Sequence, residues 1–320
     1  MILVVGGLAD RVTELVCARL DDCGYPYRFL DLGFYPAGFE VTWHWRDSVP
    51  SGYIAGPGWR LELDEIRGVY TRYLGAEGRM QLPSIPPAQA PAVYFEYDSA
   101  LMALLEDFPC PVVNRVGGGM SNSSKAFQAL LIRQSALRTP RTLISSDPEA
   151  VHRFYADCNG EVVYKSISGV RSIVRRLEPE HLERLPLLRH APAQFQEFVR
   201  GDDVRVHTVG DAVFATRVRS EAVDYRYAHR EGQEVVLEPA DVPASVADSC
   251  RLLARRLDLL LAGIDLRRTP AGDYYCFEVN PSPGFLYYEQ QARQPISAAL
   301  ADLLQHGTQV GESQRVMPMH

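Results

Sequence analysis

Two strand-like runs near the carboxyl end constrain the fold of this chain more than any other feature. Residues 260–268 and Tyr274–Asn280 are rich in aliphatic and aromatic side chains, and residues 269–273 between them include the Pro and Gly that favour a turn. Two such runs joined by so short a segment should pair as an antiparallel hairpin. The sequence therefore predicts an antiparallel sheet in this part of the chain.

The hairpin brings two carboxylates and one amide together. If pairing starts with residue 269 opposite residue 274, the register sets Asp265 opposite Glu278. The two-residue period of a strand then puts Asn280 on the same face as Glu278. Asp265 lies in an apolar run, which argues against the alternative of a solvated polar face. Oxygen ligands of this kind suit a hard cation, so we predict a Mg²⁺ site whose remaining ligands are nucleotide phosphates.

Lysine is scarce in this chain. Reading the sequence finds two lysines, Lys125 and Lys165, so the total of 33 lysines and arginines leaves 31 arginines. A compact ammonium group can reach an oxygen in a confined pocket, whereas a planar guanidinium needs more room and a forked partner. Chance is the alternative explanation. We interpret the two lysines as positions where arginine does not easily fit.

The surroundings of both lysines favour phosphate. Lys165 ends a β-branched run and is followed by the small-residue segment 166–170, a loop type that can offer backbone N–H groups to phosphate. Lys125 follows a Gly- and Ser-rich stretch at the start of a helical pattern. A cation in that first turn opposes the helix dipole unless an anion lies there. Both positions are therefore predicted to bind an anion.

Composition and length limit the other classes of protein. A net charge of −7 over 320 residues argues against a protein that coats nucleic acid, and the length favours two or three subdomains. The opening run 1–7 is too short for a signal peptide, and no window reaches the roughly 18 apolar residues of a membrane span. Six scattered cysteines indicate reduced thiols. We expect a cytoplasmic protein with no membrane or nucleic-acid partner.

The amino-terminal part begins with a β-α-β pattern. Residues 1–7 form an apolar run with a Gly-Gly turn, a helical pattern follows, and residues 27–31 form the next strand-like run. The Trp-containing segment 43–57 is expected to be irregular. Pro109-Cys110-Pro111 indicates the first domain boundary.

Taken together and in this order, these features resemble the ATP-grasp superfamily over residues 111–305. The segment 278–284, Glu-Val-Asn-Pro-Ser-Pro-Gly, is similar to that of the RimK-type carboxylate–amine ligases. Tyr274–Asn280 with the segments 285–289 and 294–304 resembles the microviridin-type graspetide ligases, which cross-link side chains of a ribosomally made peptide. The Asp-Tyr-Arg at 224–226 adds to this second likeness.

The resemblance implies an α/β protein that is built from α+β subdomains. Residues 1–110 would form a Rossmann-like β-α-β domain ahead of the ATP-grasp part. Residues 111–193 would form the central ATP-grasp subdomain, and residues 194–320 the carboxyl-terminal one with the metal site. ATP would bind between the last two.

The resemblance also implies a role for each candidate residue. Lys125 and Lys165 would hold the α- and β-phosphates, and Arg219 matches an arginine that faces the transferred phosphate in RimK-type ligases. A guanidinium fork suits an acyl phosphate or a carboxylate, and a surface salt bridge is the alternative reading for Arg205 and Arg226. The further nucleotide contacts are the loop residues Ser168 and Gly169, the adenine contacts Glu197, Phe198 and Val199, and the ribose contact Asp203; the metal ligands are Asp265, Glu278 and Asn280.

ATP and Mg²⁺ are the implied cofactors of an ADP-forming ligase. Such an enzyme activates a carboxylate as an acyl phosphate and joins it to a hydroxyl or an amine, here on side chains of a precursor peptide. The alternatives are a RimK-like ligase that adds an amino acid or joins small molecules, a kinase of the same fold, and a nucleotide-binding module without turnover. The partner would be the precursor peptide or another carboxylate substrate, and a homodimer is implied.

Overall fold

The computed structural model describes residues 1–47, 49–72, 85–86, 88–120, 124–167, 174–220 and 234–307. The described residues form a mixed α/β fold with four sheets and the helices that connect their strands. Among the described residues, none of the helices combines the length and the hydropathy that crossing a bilayer requires.

A parallel sheet forms the amino-terminal part. Its strand order is β2-β1-β6-β7, and each neighbouring pair is parallel. Helix α1 begins after Asp10, whose carboxylate accepts the Thr13 N–H at 2.8 Å and so caps the helix. The predicted β-α-β opening is confirmed. The elements are β1 (Ile2–Gly6), α1 (Arg11–Asp22), β2 (Tyr27–Asp31), β3 (Glu40–Arg46), β4 (Val49–Gly56), β5 (Trp59–Glu62), a 3₁₀ turn (Leu63–Glu65), β6 (Gly68–Thr71), α2 (Ala90–Asp107) and β7 (Val112–Val113).

The sequence suggested that the segment 43–57 is irregular, and this expectation was wrong. The segment supplies parts of an antiparallel sheet. Strands β3, β4 and β5 pair in order, and Trp43 lies opposite Gly52. Gly52 has φ +145°, and a Cβ there would lie 2.1 Å from the Thr42 carbonyl oxygen. Only glycine permits the Thr42 carbonyl to come this close to the strand. The Gly and Pro residues, which are usual in loops, therefore lie here within a paired strand.

The central sheet is antiparallel, with strand order β10-β9-β11-β8. One face packs Tyr164 and Phe195 into a core with Val151 of α5. The opposite face carries Lys165 and Gln194, which are direct neighbours across β9 and β11. The elements are α3 (Val116–Gly119), α4 (Lys125–Arg133), β8 (Thr142–Ser145), α5 (Pro148–Asp157), β9 (Val162–Lys165), β10 (Arg175–Arg176), α6 (Pro179–Leu182), a 3₁₀ helix (Leu185–His190) and β11 (Ala193–Glu197).

A five-stranded antiparallel sheet dominates the rest of the chain. Its order is β14-β13-β12-β15-β16, and one face packs on α7 through Val206, Ile264 and Leu253. Helix α4 also packs against β16 and α7. Domain boundaries near residues 110 and 193 stay a prediction. The elements are β12 (Asp202–Val209), β13 (Ala212–Arg219), β14 (Val236–Pro239), α7 (Ala244–Arg256), β15 (Leu261–Arg268), β16 (Tyr274–Asn280), α8 (Leu286–Ala292) and α9 (Ile296–His306).

The predicted hairpin is present, but its pairing next to the turn differs by one residue. Arg268, not residue 269, lies opposite Tyr274, because the Thr269 N–H donates to the Asp273 carbonyl at 2.9 Å and closes the turn. An irregularity in the ladder between residues 265 and 266 then moves the register by one. Asp265 consequently lies opposite Glu278, as predicted, although the turn-end register was wrong.

Candidate functional site

Three charged side chains follow one another across the carboxyl-terminal sheet, and a fourth reaches them from helix α4. Arg205 on β12 lies opposite Asp265 on β15, and Asp265 lies opposite Glu278 on β16. Arg205 Nη1 donates to Asp265 Oδ1 at 2.6 Å, and Lys125 Nζ of α4 lies 3.2 Å from Glu278 Oε2. The order of charge is therefore cation, carboxylate, carboxylate, cation. We call Arg205, Asp265, Glu278 and Lys125 the charged row.

The two carboxylates of the charged row are only partly accessible. Their side chains are 23% exposed for Asp265 and 18% for Glu278. Asn280 continues the face of Glu278, and its Oδ1 accepts the Ser282 N–H at 2.9 Å. Within the part of the chain that the structure describes, no cluster of three or more His, Cys, Asp or Glu side chains could hold a metal. Asp265, Glu278 and Asn280 place two carboxylates and one amide on one face of the sheet, and their role as metal ligands stays a prediction.

Lys125, one of the two lysines of the chain, has a largely buried side chain. It is the first residue of α4, after the N-cap Ser124, and its side chain is 13% exposed. Its positive charge interacts unfavourably with the helix dipole, and the nearby carboxylate of Glu278 offsets this interaction. Lys165 ends β9 and is half-buried on the face that it shares with Gln194. The predicted loop contacts Ser168 and Gly169 lie outside the described residues.

Lys165→Arg should lower kcat/KM at least about tenfold although the charge is kept, because a planar guanidinium needs more room than a compact ammonium group and also a forked partner. Steady-state ATP kinetics measure this loss. Arg153→Lys, an exchange at an exposed position of α5, is the matched control and should leave kcat/KM unchanged. A Lys165→Arg enzyme within about threefold of wild type would show that the scarcity of lysine has no bearing on this site.

The predicted adenine contacts connect the central sheet with the five-stranded sheet. Glu197 ends β11, and its carboxylate accepts from Arg141 Nε at 3.0 Å and from the Arg141 backbone N–H at 3.2 Å. The Phe198 ring stacks against Arg176 at 4.1 Å from its centroid. The Val199 carbonyl accepts from Arg267 Nη1 of β15 at 3.0 Å. The adenine roles of these residues stay predictions, and the structure places them side by side.

Arg267 is a residue that the sequence reasoning missed. It lies opposite Asp203, the predicted ribose contact, and donates to Asp203 Oδ1 through Nε at 2.8 Å and Nη2 at 2.6 Å. Its guanidinium also lies 5.3 Å from the Phe277 ring centroid. Asp203 is therefore held in place by a side chain of the neighbouring strand. The sequence does contain a signal for this pair. Asp203 precedes Arg205 by two residues and Arg267 follows Asp265 by two residues, so antiparallel strands that pair Arg205 with Asp265 also pair Asp203 with Arg267.

The three predicted catalytic arginines have different surroundings. Arg205 is buried and belongs to the charged row. Arg219 lies at the end of β13 with its side chain 60% exposed, and its Nε is 3.1 Å from Glu238 Oε2 on β14. Arg226 lies outside the described residues. The structure thus brings Arg205 to the carboxylates, whereas Arg219 forms a surface ion pair and its catalytic role stays a prediction.

His207 supports Arg205 from within the sheet. It is fully buried, and its Nε2 accepts from Arg205 Nε at 3.4 Å while its ring packs edge-on against Tyr288. Burial, and secondly the positive charge of Arg205, hold the pKa of His207 well below its usual range. A neutral imidazole can accept this hydrogen bond, so His207 is not placed to act as an acid.

The stability of the protein should reflect the low pKa of His207. Below about pH 6.5 the unfolded chain binds a proton at this histidine before the folded protein does, so folding stability is lost as pH falls, by at most about 1.4 kcal/mol per pH unit. Urea unfolding of wild type and His207→Gln at several pH values measures this. The difference between them should shrink as the pH falls below that point. A difference independent of pH would contradict the neutral buried state.

Two further side chains hold the loop that follows Asn280. Arg72 follows β6, pairs with Asp10 at 2.9 Å, and donates through Nη1 to the Ser282 and Pro283 carbonyls, both at 3.1 Å. The Asn114 amide donates to the Leu261 and Pro281 carbonyls and accepts from the backbone N–H groups of residues 260 and 261. Neither was among the predicted site residues. Arg72 follows a buried parallel strand, which is the position where a sheet presents functional side chains.

Comparison with protein families identifies one domain. Residues 121–304 match the model of the RimK-like ATP-grasp domain. This segment contains the whole charged row, the predicted adenine contacts 197–199 and Asn280, and it leaves out the parallel sheet at the amino terminus. The predicted ATP-grasp fold is confirmed.

Solved structures resemble the chain over nearly its whole length. The macrocyclase MdnC of Microcystis aeruginosa MRC, bound with the precursor peptide MdnA, is 24% identical, with a TM-score of 0.78 over 95% of this chain and 99% of that one. The ATP-grasp ligase PsnB, complexed with a minimal precursor, Mg and ADP, is 29% identical, with a TM-score of 0.77 over 96% of this chain and 97% of that one. The α/β architecture is therefore that of these proteins.

A curated relative is also similar. N-acetylaspartylglutamate synthase A of Mus musculus is 25% identical over 226 residues, which are 66% of this chain. The match spans 58% of the length of the mouse protein.

Proposed function

The chain belongs to the RimK-like ATP-grasp family, and we propose that it is an ATP-dependent ligase that activates a carboxylate as an acyl phosphate. An amine or a hydroxyl then takes the acyl group, and ADP and inorganic phosphate are released. The observation that carries this proposal is the charged row, in which Asp265 and Glu278 face each other with a cation at each end. Such a row offers oxygen ligands for a metal and cations for phosphate within a small space.

The donors at the charged row fit Mg²⁺. Asp265 and Glu278 lie on neighbouring strands, and the Asn280 side chain lies one position further along the same face. Mg²⁺ prefers oxygen ligands and commonly combines one or two carboxylates with phosphate oxygens. A Mg²⁺ ion held by these three residues would neutralise charge on the phosphates during transfer.

The two lysines and the predicted adenine contacts 197–199 would position the nucleotide. Lys125 is free to exchange Glu278 for a phosphate oxygen, because an ammonium group has three donors on a flexible stem. Lys165 would approach the phosphates from the central sheet. Residues 197–199 would hold the adenine and Asp203 the ribose, and we propose Ser168 and Gly169 as further phosphate contacts. Preorganised contacts of this kind supply most of the catalysis in phosphoryl transfer.

The reaction itself consists of two displacements. A substrate carboxylate oxygen attacks the γ-phosphorus, the bond from that phosphorus to the bridging oxygen breaks, and ADP leaves with the electron pair. The nitrogen or oxygen nucleophile then attacks the acyl carbon and loses its proton, and phosphate leaves. Arg205, which pairs with the carboxylate of Asp265, would lie close to the reacting groups in the first displacement. We propose Arg219 and Arg226 as contacts of the acyl phosphate, since guanidinium forks match its oxygens.

A peptide is the substrate that the structural neighbours favour. One PsnB structure contains the precursor peptide PsnA2 with AMPPNP, another contains a minimal precursor with Mg and ADP, and PsnB resembles this chain over nearly its full length. We propose that the acid and the nucleophile are side chains of one ribosomally made precursor, so that the product is a macrocyclic ester or amide. A homodimer and a cytoplasmic location belong to the same proposal; light scattering of the purified protein tests the first.

A second candidate function follows from the mouse relative. N-acetylaspartylglutamate synthase A bears the name of an enzyme that makes a small molecule containing an amino acid. A ligase of that kind would use the same charged row but would join an amino acid to a separate acid. The two candidates share the acyl phosphate and differ only in the nucleophile and in whether it belongs to the same molecule.

Product mass separates these functions. With a candidate precursor peptide, ATP and Mg²⁺, each ring closed should lower the peptide mass by one water, whereas addition of an amino acid raises it by one residue. Hydroxylamine should trap the activated acid as a hydroxamate and should do so only with ATP present. A phosphate-sized gain that resists hydroxylamine would favour a kinase, and release of AMP instead of ADP would exclude the acyl phosphate.

A further inference from the structure

Gln128 is buried in α4 and bonds through its amide to both backbone groups of one residue. Its Nε2 donates to the Val279 carbonyl at 2.8 Å, and its Oε1 accepts the Val279 N–H at 2.9 Å. Val279 belongs to β16, the last strand in the order of the five-stranded sheet. The amide of Gln128 therefore takes the place of a neighbouring strand at this residue and satisfies groups that burial would otherwise leave without partners.

Val279 stands between two predicted metal ligands. Its side chain is fully buried in the core that α7 covers, so the side chains of Glu278 and Asn280 point to the opposite face. A peptide unit is planar, so fixing the N–H and the carbonyl of Val279 fixes the planes on both of its sides. The pairing with β15 already holds Glu278 and Asn280 in register, opposite Asp265 and Gly263. What the two bonds of Gln128 add is the place of helix α4 against this strand.

The same helix carries Lys125. Gln128 lies three residues after Lys125, about one helical turn away, so the two side chains leave neighbouring parts of one helix face. Lys125 Nζ reaches Glu278 Oε2 at 3.2 Å, directly beside the place where Gln128 is joined to the strand. One buried amide thus links the helix with the phosphate-binding lysine to the strand with the metal ligands.

We propose that Gln128 is a positioning residue that sets Lys125 at a fixed place relative to Glu278 and Asn280, so that a nucleoside diphosphate with its Mg²⁺ binds to all three. The inference rests on the proposed function in one respect, because it takes these three residues as the phosphate and metal contacts. Gln128 itself touches neither ligand. Its loss should therefore weaken Mg²⁺-dependent nucleotide binding by displacing Lys125. Once Lys125 is itself removed, the loss of Gln128 should have little further effect.

Fluorescence titration with mant-ADP and Mg²⁺ tests this without any peptide substrate. Gln128→Met, similar in length but unable to form either bond, should weaken binding at least about tenfold. The matched control is Ser135→Ala, which removes another buried bond, from Ser135 Oγ to the Ile132 carbonyl, at the other end of the same helix. This control should bind mant-ADP within about threefold of wild type.

A double-mutant cycle separates positioning from general loss of structure. In a Lys125→Met background, the further change Gln128→Met should alter the mant-ADP affinity by no more than about threefold, because the residue through which it acts is gone. If the double variant instead lost affinity by the product of the two single losses, the inference would be overturned. If Gln128→Met does not fold, Gln128→Glu keeps the bond from the Val279 N–H and loses the other; unchanged binding by this folded variant would equally overturn it. A wild-type protein that binds no mant-ADP with Mg²⁺ would instead overturn the proposed function.

Discussion

Glu278→Gln should reduce ATP-dependent turnover at least about 100-fold while the protein stays folded. The exchange keeps the shape of the side chain but removes one of the two carboxylate charges of the proposed metal site. It also leaves Lys125 with a neutral amide in place of its carboxylate partner 3.2 Å away. Release of ADP, measured over a range of Mg²⁺ concentrations, should show both a lower maximum and a requirement for more Mg²⁺.

The control for this exchange is Glu62→Gln. Glu62 pairs with Arg60 at 2.7 Å on the surface of the three-stranded sheet, so the same chemical change is made at an exposed ion pair. Turnover and Mg²⁺ dependence of Glu62→Gln should equal those of wild type, because exposed pairs contribute little. A Glu278→Gln enzyme with wild-type Mg²⁺ dependence would show that Asp265, Glu278 and Asn280 do not form a metal site.

The position of these carboxylates could be predicted from the sequence because a hairpin is a local structure. The Pro and Gly of the turn and the two apolar runs are neighbours in the chain, and strand alternation then fixes which side chains share a face. The predicted pairing of Asp265 with Glu278 was right for a partly wrong reason. The ladder starts at Arg268 rather than at residue 269, and its irregularity between Asp265 and Leu266 restores the register.

The contacts that hold the site could not be predicted, because they join distant parts of the chain. Gln128 and Val279 are separated by 151 residues and Asn114 and Leu261 by 147. Neither contact has a local pattern, since a single Gln in a helix or a single Asn after a strand is unremarkable. The strands in segment 43–57 were missed for another reason: their Gly and Pro residues are the usual signs of a loop.

Gly263 shows how closely Arg205 is enclosed. It lies on β15 between His207 of β12 and Asn280 of β16. A Cβ at this position would lie 2.0 Å from Arg205 Nη2 and 2.7 Å from the Cβ of Pro283. The glycine has no unusual backbone angle, so the need for it is steric. Its missing side chain is the space in which one end of the Arg205 guanidinium lies.

Gly263→Ala should therefore displace Arg205 from Asp265 and reduce turnover about 10- to 100-fold. Overpacking costs about 1–3 kcal/mol, and a carboxylate left without its largely buried partner adds to the loss of stability. ADP release and thermal unfolding measure the two effects.

The matched control for Gly263→Ala is Gly119→Ala, where the nearest atoms to a Cβ are those of Pro281 at 3.9 Å, an ordinary contact. It should keep full turnover. A Gly263→Ala enzyme that is as active as this control would mean that Arg205 can leave the charged row without consequence, and that the 2.6 Å bond to Asp265 has no part in the reaction.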